Sequence, residues 1–215
     1  MPGRGKSILE GIRFAAEVAS DPSGVVSLWK TVTGGKIVGC LPATRLPELL
    51  HAARLLPVSL VFPGDLSVLS GQVDAWLVGA DPPPFPVSSG GIPRFAFPSV
   101  PPESVEEALD RVEAVAEWAG AMSRSPASEG ALWKSIRAYA ERRSLLDALA
   151  DRCSREPAFL TPEERRDIVR AGIFLPPEAH SRLLSSILGI DPEPPVLPAE
   201  GEKGDPLIVL AKRLM

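Results

Sequence analysis

The chain has 215 residues, of which 45% are hydrophobic and 23% charged, and its formal net charge is −4. This composition is typical of a folded globular protein, because the apolar fraction is large enough to build a core. The mildly acidic balance and the scattered Lys and Arg residues exclude an extended basic surface for nucleic acid. No apolar run approaches the roughly 20 residues that cross a bilayer, so no membrane association is predicted.

The N-terminal residues and the cysteines indicate the compartment. Glu10 and Arg13 interrupt the apolar residues near the N-terminus, so a secretory signal peptide is not predicted. The two cysteines, Cys40 and Cys153, lie far apart in the sequence and form neither a CxxC pair nor a zinc-type spacing. We therefore expect a cytoplasmic protein with free thiols and no metal site.

The first hundred residues alternate between helical and strand-like hydrophobic patterns. Apolar residues recur at helical spacing over 8–19, 25–32 and 46–56, and Pro57 is expected to end the third helix. The predicted strands are the short apolar runs KIVGC, VSLVF, DAWLVGA and RFAFP. Strands separated by helices predict the α/β class, with a Rossmann-like, mostly parallel sheet of about four strands followed by a helical segment.

The second half of the chain predicts a series of helices. The first begins at Ser104, which forms a capping box with Glu107, and a long helix covers 128–153. The next helix begins at Thr161 and is expected to stop at Gly172. The run PPEAHSRLLSSILG repeats the same pattern of a proline start and a glycine stop.

The chain ends in a stretch rich in Pro, Glu and Gly, followed by the apolar run DPLIVLAKRLM. The first part is predicted to be a linker, and the apolar run to be a strand-like tail. The predicted segments are N-terminal helices (1–35), a sheet layer (36–100), a helical segment of the same domain (101–190), and the linker with its strand-like tail (191–215).

The stretch GCLPATRLPELLHAARLLPV, residues 39–58, resembles the N-terminal motif of a known enzyme family. This is the 2-hydroxyacyl-CoA dehydratase (D-component) and benzoyl-CoA reductase subunit family. A second stretch, ALWKSIRAYAERRSLLDAL followed by RAGIFLPPEAHSRLLSSIL, resembles the helical hairpin of the same subunits. The resemblance covers roughly residues 25–190 in matching order. The matching motif positions are Gly39, Pro42, Glu48, Leu49, Leu50, His51, Ala52, Ala53, Leu56, Pro57 and Val58.

The resemblance implies chemistry that starts with a single electron. In such enzymes an ATP-dependent activator protein delivers the electron to a 4Fe–4S cluster, which is held by cysteines of two homologous subunits. The electron reduces a CoA thioester to a ketyl-type radical, from which an unactivated hydroxyl is eliminated or an aromatic ring is reduced. The partners implied for this chain are a homologous subunit, the activator and an acyl-CoA ligand.

This sequence departs from the family pattern at the positions of the cluster ligands. The segment after the second predicted strand contains no cysteine, and the expected Cys-Asp pair after the third strand is Ala80-Asp81. The chain also stops where a second α/β domain is expected to begin. We therefore expect a cluster-less subunit with no cofactor of its own, acting with an iron–sulfur partner. The alternatives are a non-catalytic domain that binds a partner or a CoA-like ligand, and one half of a split subunit.

Two residues of the motif are catalytic candidates. Glu48 and His51 lie three positions apart and therefore share one face of the predicted helix. The resemblance implies that they lie at the mouth of an acyl-CoA pocket, with His51 as hydrogen-bond donor or general acid. The alternative is that both residues only support the packing of the helix on the sheet.

Two further residues are candidates for substrate binding. Cys40 ends the first predicted strand, at the edge where open α/β sheets bind ligands, and it is either a site residue or a buried structural thiol. Asp81 follows the third predicted strand, and it either faces the substrate or fixes the turn before three prolines. His180 begins a predicted surface helix beside Arg182 and is expected to be solvated.

Overall fold

The computed structural model describes residues 5–41, 46–60, 69, 71–79, 91–98, 100–190 and 204–215. No helix in these ranges is both long and apolar enough to cross a membrane. The helices are α1 (Lys6–Ser20), α2 (Ser23–Thr33), α3 (Pro47–Ala52), α4 (Val105–Ser123), α5 (Glu129–Arg155), α6 (Pro162–Phe174), α7 (Pro177–Leu188) and α8 (Pro206–Leu214), and the strands are β1 (Lys36–Leu41), β2 (Leu55–Ser59), β3 (Ala75–Gly79) and β4 (Arg94–Phe97).

The four strands form one parallel sheet in the order β2-β1-β3-β4. Val38 of β1 pairs with Pro57 of β2 on one side and with Ala75 of β3 on the other. Strands β1, β2 and β3 are almost continuously buried, which is why they appear in the sequence as apolar runs without alternation. This sheet with its flanking helices confirms the predicted α/β, Rossmann-like class.

The chain forms two compact units. The helical unit consists of Met1–Val25 and Arg137–Ala199, and the sheet unit consists of Val26–Ile136 and Glu200–Met215. These units divide the chain differently from the predicted segments, because each of them combines residues from both ends of the sequence. The helical segment predicted over 101–190 is shared between the two units.

In the helical unit, α1 packs against α6 and α7. Three arginines cap the C-terminal ends of helices in this unit. Each donates a hydrogen bond to a carbonyl oxygen in the last turn of a helix, where carbonyl groups lack N–H partners within the helix. Arg170 donates to Ala19 at 3.0 Å and Arg152 donates to Leu188 at 2.8 Å. Arg142 similarly donates to the Gly172 carbonyl at 3.2 Å. Each positive charge also interacts favourably with the negative end of the helix dipole.

In the sheet unit, one face of the sheet packs against α3, α4 and α8. The side chains of this core are apolar and at most 5% exposed. They include Val38 and Cys40 of β1, Leu49 and Leu50 of α3, Val112 and Val115 of α4, Leu132 and Ile136 of α5, and Leu210 and Leu214 of α8.

The capping box predicted at the start of α4 is present only in part. The Ser104 hydroxyl accepts the Glu107 N–H at 3.1 Å, as predicted. The Glu107 carboxylate accepts the backbone N–H of Glu103 rather than that of Ser104. This hydrogen bond and the neighbouring Arg111 hold the pKa of Glu107 below its usual value. The complete capping box lies instead at Thr161, where Glu164 reciprocates the hydrogen bond.

The helix predicted over 46–56 is shorter than expected. It ends at Ala52, Arg54 takes a left-handed conformation with φ of 58°, and β2 begins at Leu55. Pro57 therefore lies inside a strand instead of ending a helix. A proline is compatible with this strand because β2 is at the edge of the described sheet, where one side of the backbone needs no strand partner.

Two predictions for the later helices were wrong. Helix α6 continues through Gly172 to Phe174, and the strand-like tail is helix α8. The Asp205 carboxylate caps α8 by accepting the Leu207 N–H at 2.8 Å. The buried residues of α8 recur at helical spacing, and this face packs against α4. Tertiary packing thus overrides the strand propensity of the Leu-Ile-Val-Leu run.

Gly39 of the family-like motif allows close packing against β3. A Cβ atom at this position would lie 2.4 Å from the buried Trp76 ring of β3. We expect Gly39→Ala to lower the free energy of unfolding by about 1–3 kcal/mol through overpacking, measured by urea denaturation. Gly130→Ala is the control, because its Cβ would meet no described atom within 4 Å. Equal effects of the two substitutions would contradict this explanation.

Candidate functional site around Glu48 and His51

The candidate residues lie on α3, the short helix that follows β1. The chain passes from β1 through α3 to β2 on one side of β1, and β3 pairs with β1 on the other side. The strand order therefore reverses its direction between β1 and β3, which is the point where parallel α/β sheets bind ligands. Glu48 and His51 share one face of α3, as predicted, and both contact groups elsewhere in the sheet unit.

The buried Glu48 carboxylate forms an ion pair with Arg213 of α8. Its Oε1 lies 2.6 Å from Nη1 of Arg213, and the two side chains are 3% and 33% exposed. Oε2 is also buried, with no hydrogen-bond partner among the described residues. Arg213 was not among the predicted site residues, because a strand-like tail would not direct this side chain to α3.

Ser135 of α5 connects the two candidate residues. Its hydroxyl donates to the Glu48 carbonyl oxygen at 2.7 Å and lies 3.0 Å from Nδ1 of His51. The serine is only 1% exposed. Ser135 was not among the predicted site residues either, although the sequence contains a signal for it. Ser135 lies on the apolar face of a predicted helix, between Leu132 and Ile136, where a polar side chain requires a partner.

Cys40 lies in the core of the sheet unit. Its side chain is completely buried, and Sγ donates a weak hydrogen bond to the Val38 carbonyl at 3.6 Å. These surroundings are those of a structural thiol, which behaves as a small apolar side chain. The other substrate-binding candidate, Asp81, lies outside the described residues.

The prediction that His180 is solvated was wrong. The side chain is 1% exposed, and its Nε2 lies 2.9 Å from the Ile168 carbonyl oxygen. The ring packs directly over Gly172, where a Cβ atom would lie 2.2 Å from it. Burial lowers the pKa of His180 to about 4, and the positive charge of Arg142 acts in the same direction. His180 is on the buried face of α7, so it supports packing in the helical unit.

The chain contains half of the thiols that a 4Fe–4S cluster held only by cysteines requires. Such a cluster is held by four thiolates, and the chain contains two cysteines. Cys40 belongs to the sheet unit and Cys153 to the helical unit, and both are buried. In the ranges that the structure describes, no three His, Cys, Asp or Glu side chains converge as metal ligands do.

The comparisons with known proteins add no family to this description. No protein-family model matches the chain, and no curated protein sequence matches it. The class of this protein is therefore described by its fold and by its candidate site alone. The chain has a parallel α/β unit and a helical unit, and the α/β unit contains a connected set of four polar residues: Arg213, Glu48, Ser135 and His51. We call this set the α3 network.

Proposed function

We propose that this chain is a cytoplasmic, cluster-less subunit of the 2-hydroxyacyl-CoA dehydratase or benzoyl-CoA reductase type. It acts with a homologous iron–sulfur subunit on an acyl-CoA thioester. The observation that supports this proposal is the α3 network, which holds the two motif residues Glu48 and His51 on the helix that follows β1, and β1 is one of the two strands between which the strand order reverses. The chain has only two cysteines, which supports a cluster on the partner rather than on this chain.

The two motif residues have different tasks in this proposal. The Glu48 carboxylate is paired with Arg213 and is almost fully buried. In this proposal Glu48 therefore holds α3 in place and does not transfer protons. His51 is only partly buried and is therefore the residue that contacts the thioester substrate. The partner supplies the electron from its cluster, after an ATP-dependent activator has reduced it.

The experiment is anaerobic co-expression with a homologous cysteine-containing subunit. Iron and sulfide are quantified for each subunit, and acyl-CoA turnover is measured with the activator and ATP. We expect the metal on the partner alone, and a loss of turnover when this chain is omitted. His51→Gln should lower turnover at least tenfold, whereas Lys134→Gln, an exposed change on α5, should not alter it. Turnover that is independent of this chain would refute the proposal.

A second candidate function is a non-catalytic subunit that binds the partner or a CoA-like ligand. The engagement of Glu48 by Arg213 and the burial of Cys40 favour it, because both remove reactive groups from a site. The same experiment separates the two functions. A binding subunit would be needed for turnover, but His51→Gln would leave the rate unchanged as long as the complex still forms.

A further inference from the structure

We infer that Ser135 is a positioning residue that holds His51 as the Nδ1–H tautomer. In this form Nε2 carries the lone pair, so the neutral imidazole accepts a hydrogen bond or a proton there and does not donate one. The tautomer follows from contacts within the sheet unit. Its consequence for a substrate rests on the proposed function.

The Ser135 hydroxyl has a single hydrogen and can therefore donate only one hydrogen bond. The Glu48 carbonyl oxygen, 2.7 Å away, can only accept a hydrogen bond, so the serine must donate to it. The remaining contact of Oγ, with Nδ1 of His51 at 3.0 Å, then requires that Nδ1 is the donor. The opposite arrangement would place two acceptor oxygens 2.7 Å apart in a buried position, which is unfavourable.

The carbonyl group that accepts the Ser135 hydrogen bond is itself held in place. A serine within a helix commonly bonds a carbonyl of its own preceding turn, whereas Ser135 reaches across to α3. The residue that it reaches, Glu48, is also attached to α8 through Arg213. Since Ser135 is 1% exposed, bulk water cannot readily replace the bond. The carbonyl and the hydroxyl therefore keep one geometry, and so does the imidazole.

The tautomer changes the chemistry expected of His51. The family resemblance implied that His51 is a hydrogen-bond donor or general acid, which requires a proton on the nitrogen that meets the substrate. With the proton on Nδ1, a neutral His51 offers an acceptor at Nε2. If the proposed function holds, a neutral His51 does not donate a hydrogen bond to the substrate from Nε2.

The second histidine of the chain provides an internal reference. His180 has Nε2 at 2.9 Å from the Ile168 carbonyl oxygen, so that nitrogen must carry the proton when the ring is neutral. The chain contains only these two histidines. When both imidazole rings are neutral, the protein is therefore expected to contain one histidine of each tautomer. The two rings can be compared in a single spectrum.

The test is a long-range ¹H–¹⁵N correlation spectrum of the imidazoles in the full chain, at about pH 8, where an ordinary histidine is neutral. His51→Gln and His180→Gln assign the two rings. We expect the Nδ1–H pattern for His51 and the Nε2–H pattern for His180. Ser135→Ala should change the imidazole signals of His51 alone, towards those of a mixture of tautomers. Ser135→Thr should keep the Nδ1–H pattern, because threonine retains the hydroxyl.

An Nε2–H pattern for His51 in the unaltered chain would overturn the inference. Unchanged imidazole signals of His51 in the Ser135→Ala variant would also overturn it. If Ser135→Ala does not fold, the spectrum of the unaltered chain still decides. The measurement needs neither partner nor substrate, so it is independent of the proposed function. An inactive complex with an Nδ1–H His51 would refute the proposed function and leave the tautomer standing.

Discussion

Arg213→Met is expected to lower the free energy of unfolding of the sheet unit by about 2–3 kcal/mol. The substitution leaves the Glu48 carboxylate without its cation at a position where this side chain is 3% exposed. Removing one partner of a fully buried ion pair costs about 3–5 kcal/mol, because a buried charge is left uncompensated. Since the Arg213 side chain is one-third exposed, we expect a loss at or below the lower end of this range.

This effect can be measured by urea denaturation followed by tryptophan fluorescence. All four tryptophans, at positions 29, 76, 118 and 133, belong to the sheet unit and therefore report on it. Lys212→Met is the matched control, because it removes an exposed charge from the neighbouring position of α8. The double variant Glu48→Met/Arg213→Met should recover at least half of the loss, since it buries no charge. Equal stabilities of Arg213→Met and Lys212→Met would contradict this account of the ion pair.

Acidification is expected to destabilise the helical unit through His180. The pKa of this histidine is about 4 in the folded chain, against an ordinary value of 6.5. The unfolded chain therefore binds the proton first as the pH falls, and stability decreases with decreasing pH. The contribution is fully present above pH 6.5 and is lost by pH of about 4. At ~1.4 kcal/mol per pKa unit, the total loss is about 3 kcal/mol.

The measurement is amide hydrogen exchange of α6 and α7 at several pH values, converted to free energies of opening, because the helical unit contains no tryptophan. His180→Gln keeps an amide N–H that can donate to the Ile168 carbonyl but does not titrate. Carboxyl groups also contribute to acid denaturation, so the relevant quantity is the difference between the two proteins. We expect the difference to appear between pH 6.5 and about 4. Identical pH dependence of the two proteins would exclude His180 as the cause.

Elements with strong local signals were predictable from the sequence. Thr161, Pro162 and Glu164 specify the start of α6 through contacts within three residues, and the structure contains the full capping box. The apolar runs of β1 and β3 likewise predicted strands, because strands buried in a parallel sheet need apolar side chains on both faces, and the run RFAFP predicted the less buried β4. The parallel arrangement followed from the helices between the first strands.

The candidate site was predictable only in part. The spacing of Glu48 and His51 placed both residues on one helix face, since this depends on helix geometry alone. Their partners could not be predicted, because Arg213 and Ser135 reach α3 only after α8 and α5 have packed in the sheet unit. His180 was assigned to solvent for the same reason. Its burial depends on α6, whose Gly172 leaves room for the ring.

By itself the sequence determined the α/β class, most element positions and the shared face of the two motif residues. These properties arise from periodicity and from caps, which act over a few neighbouring residues. The tertiary structure alone decided that the C-terminal run is a helix, that Glu48 is paired and that His180 is buried. Each of these outcomes requires a surface built by residues distant in the chain, and burial against that surface outweighs local propensity.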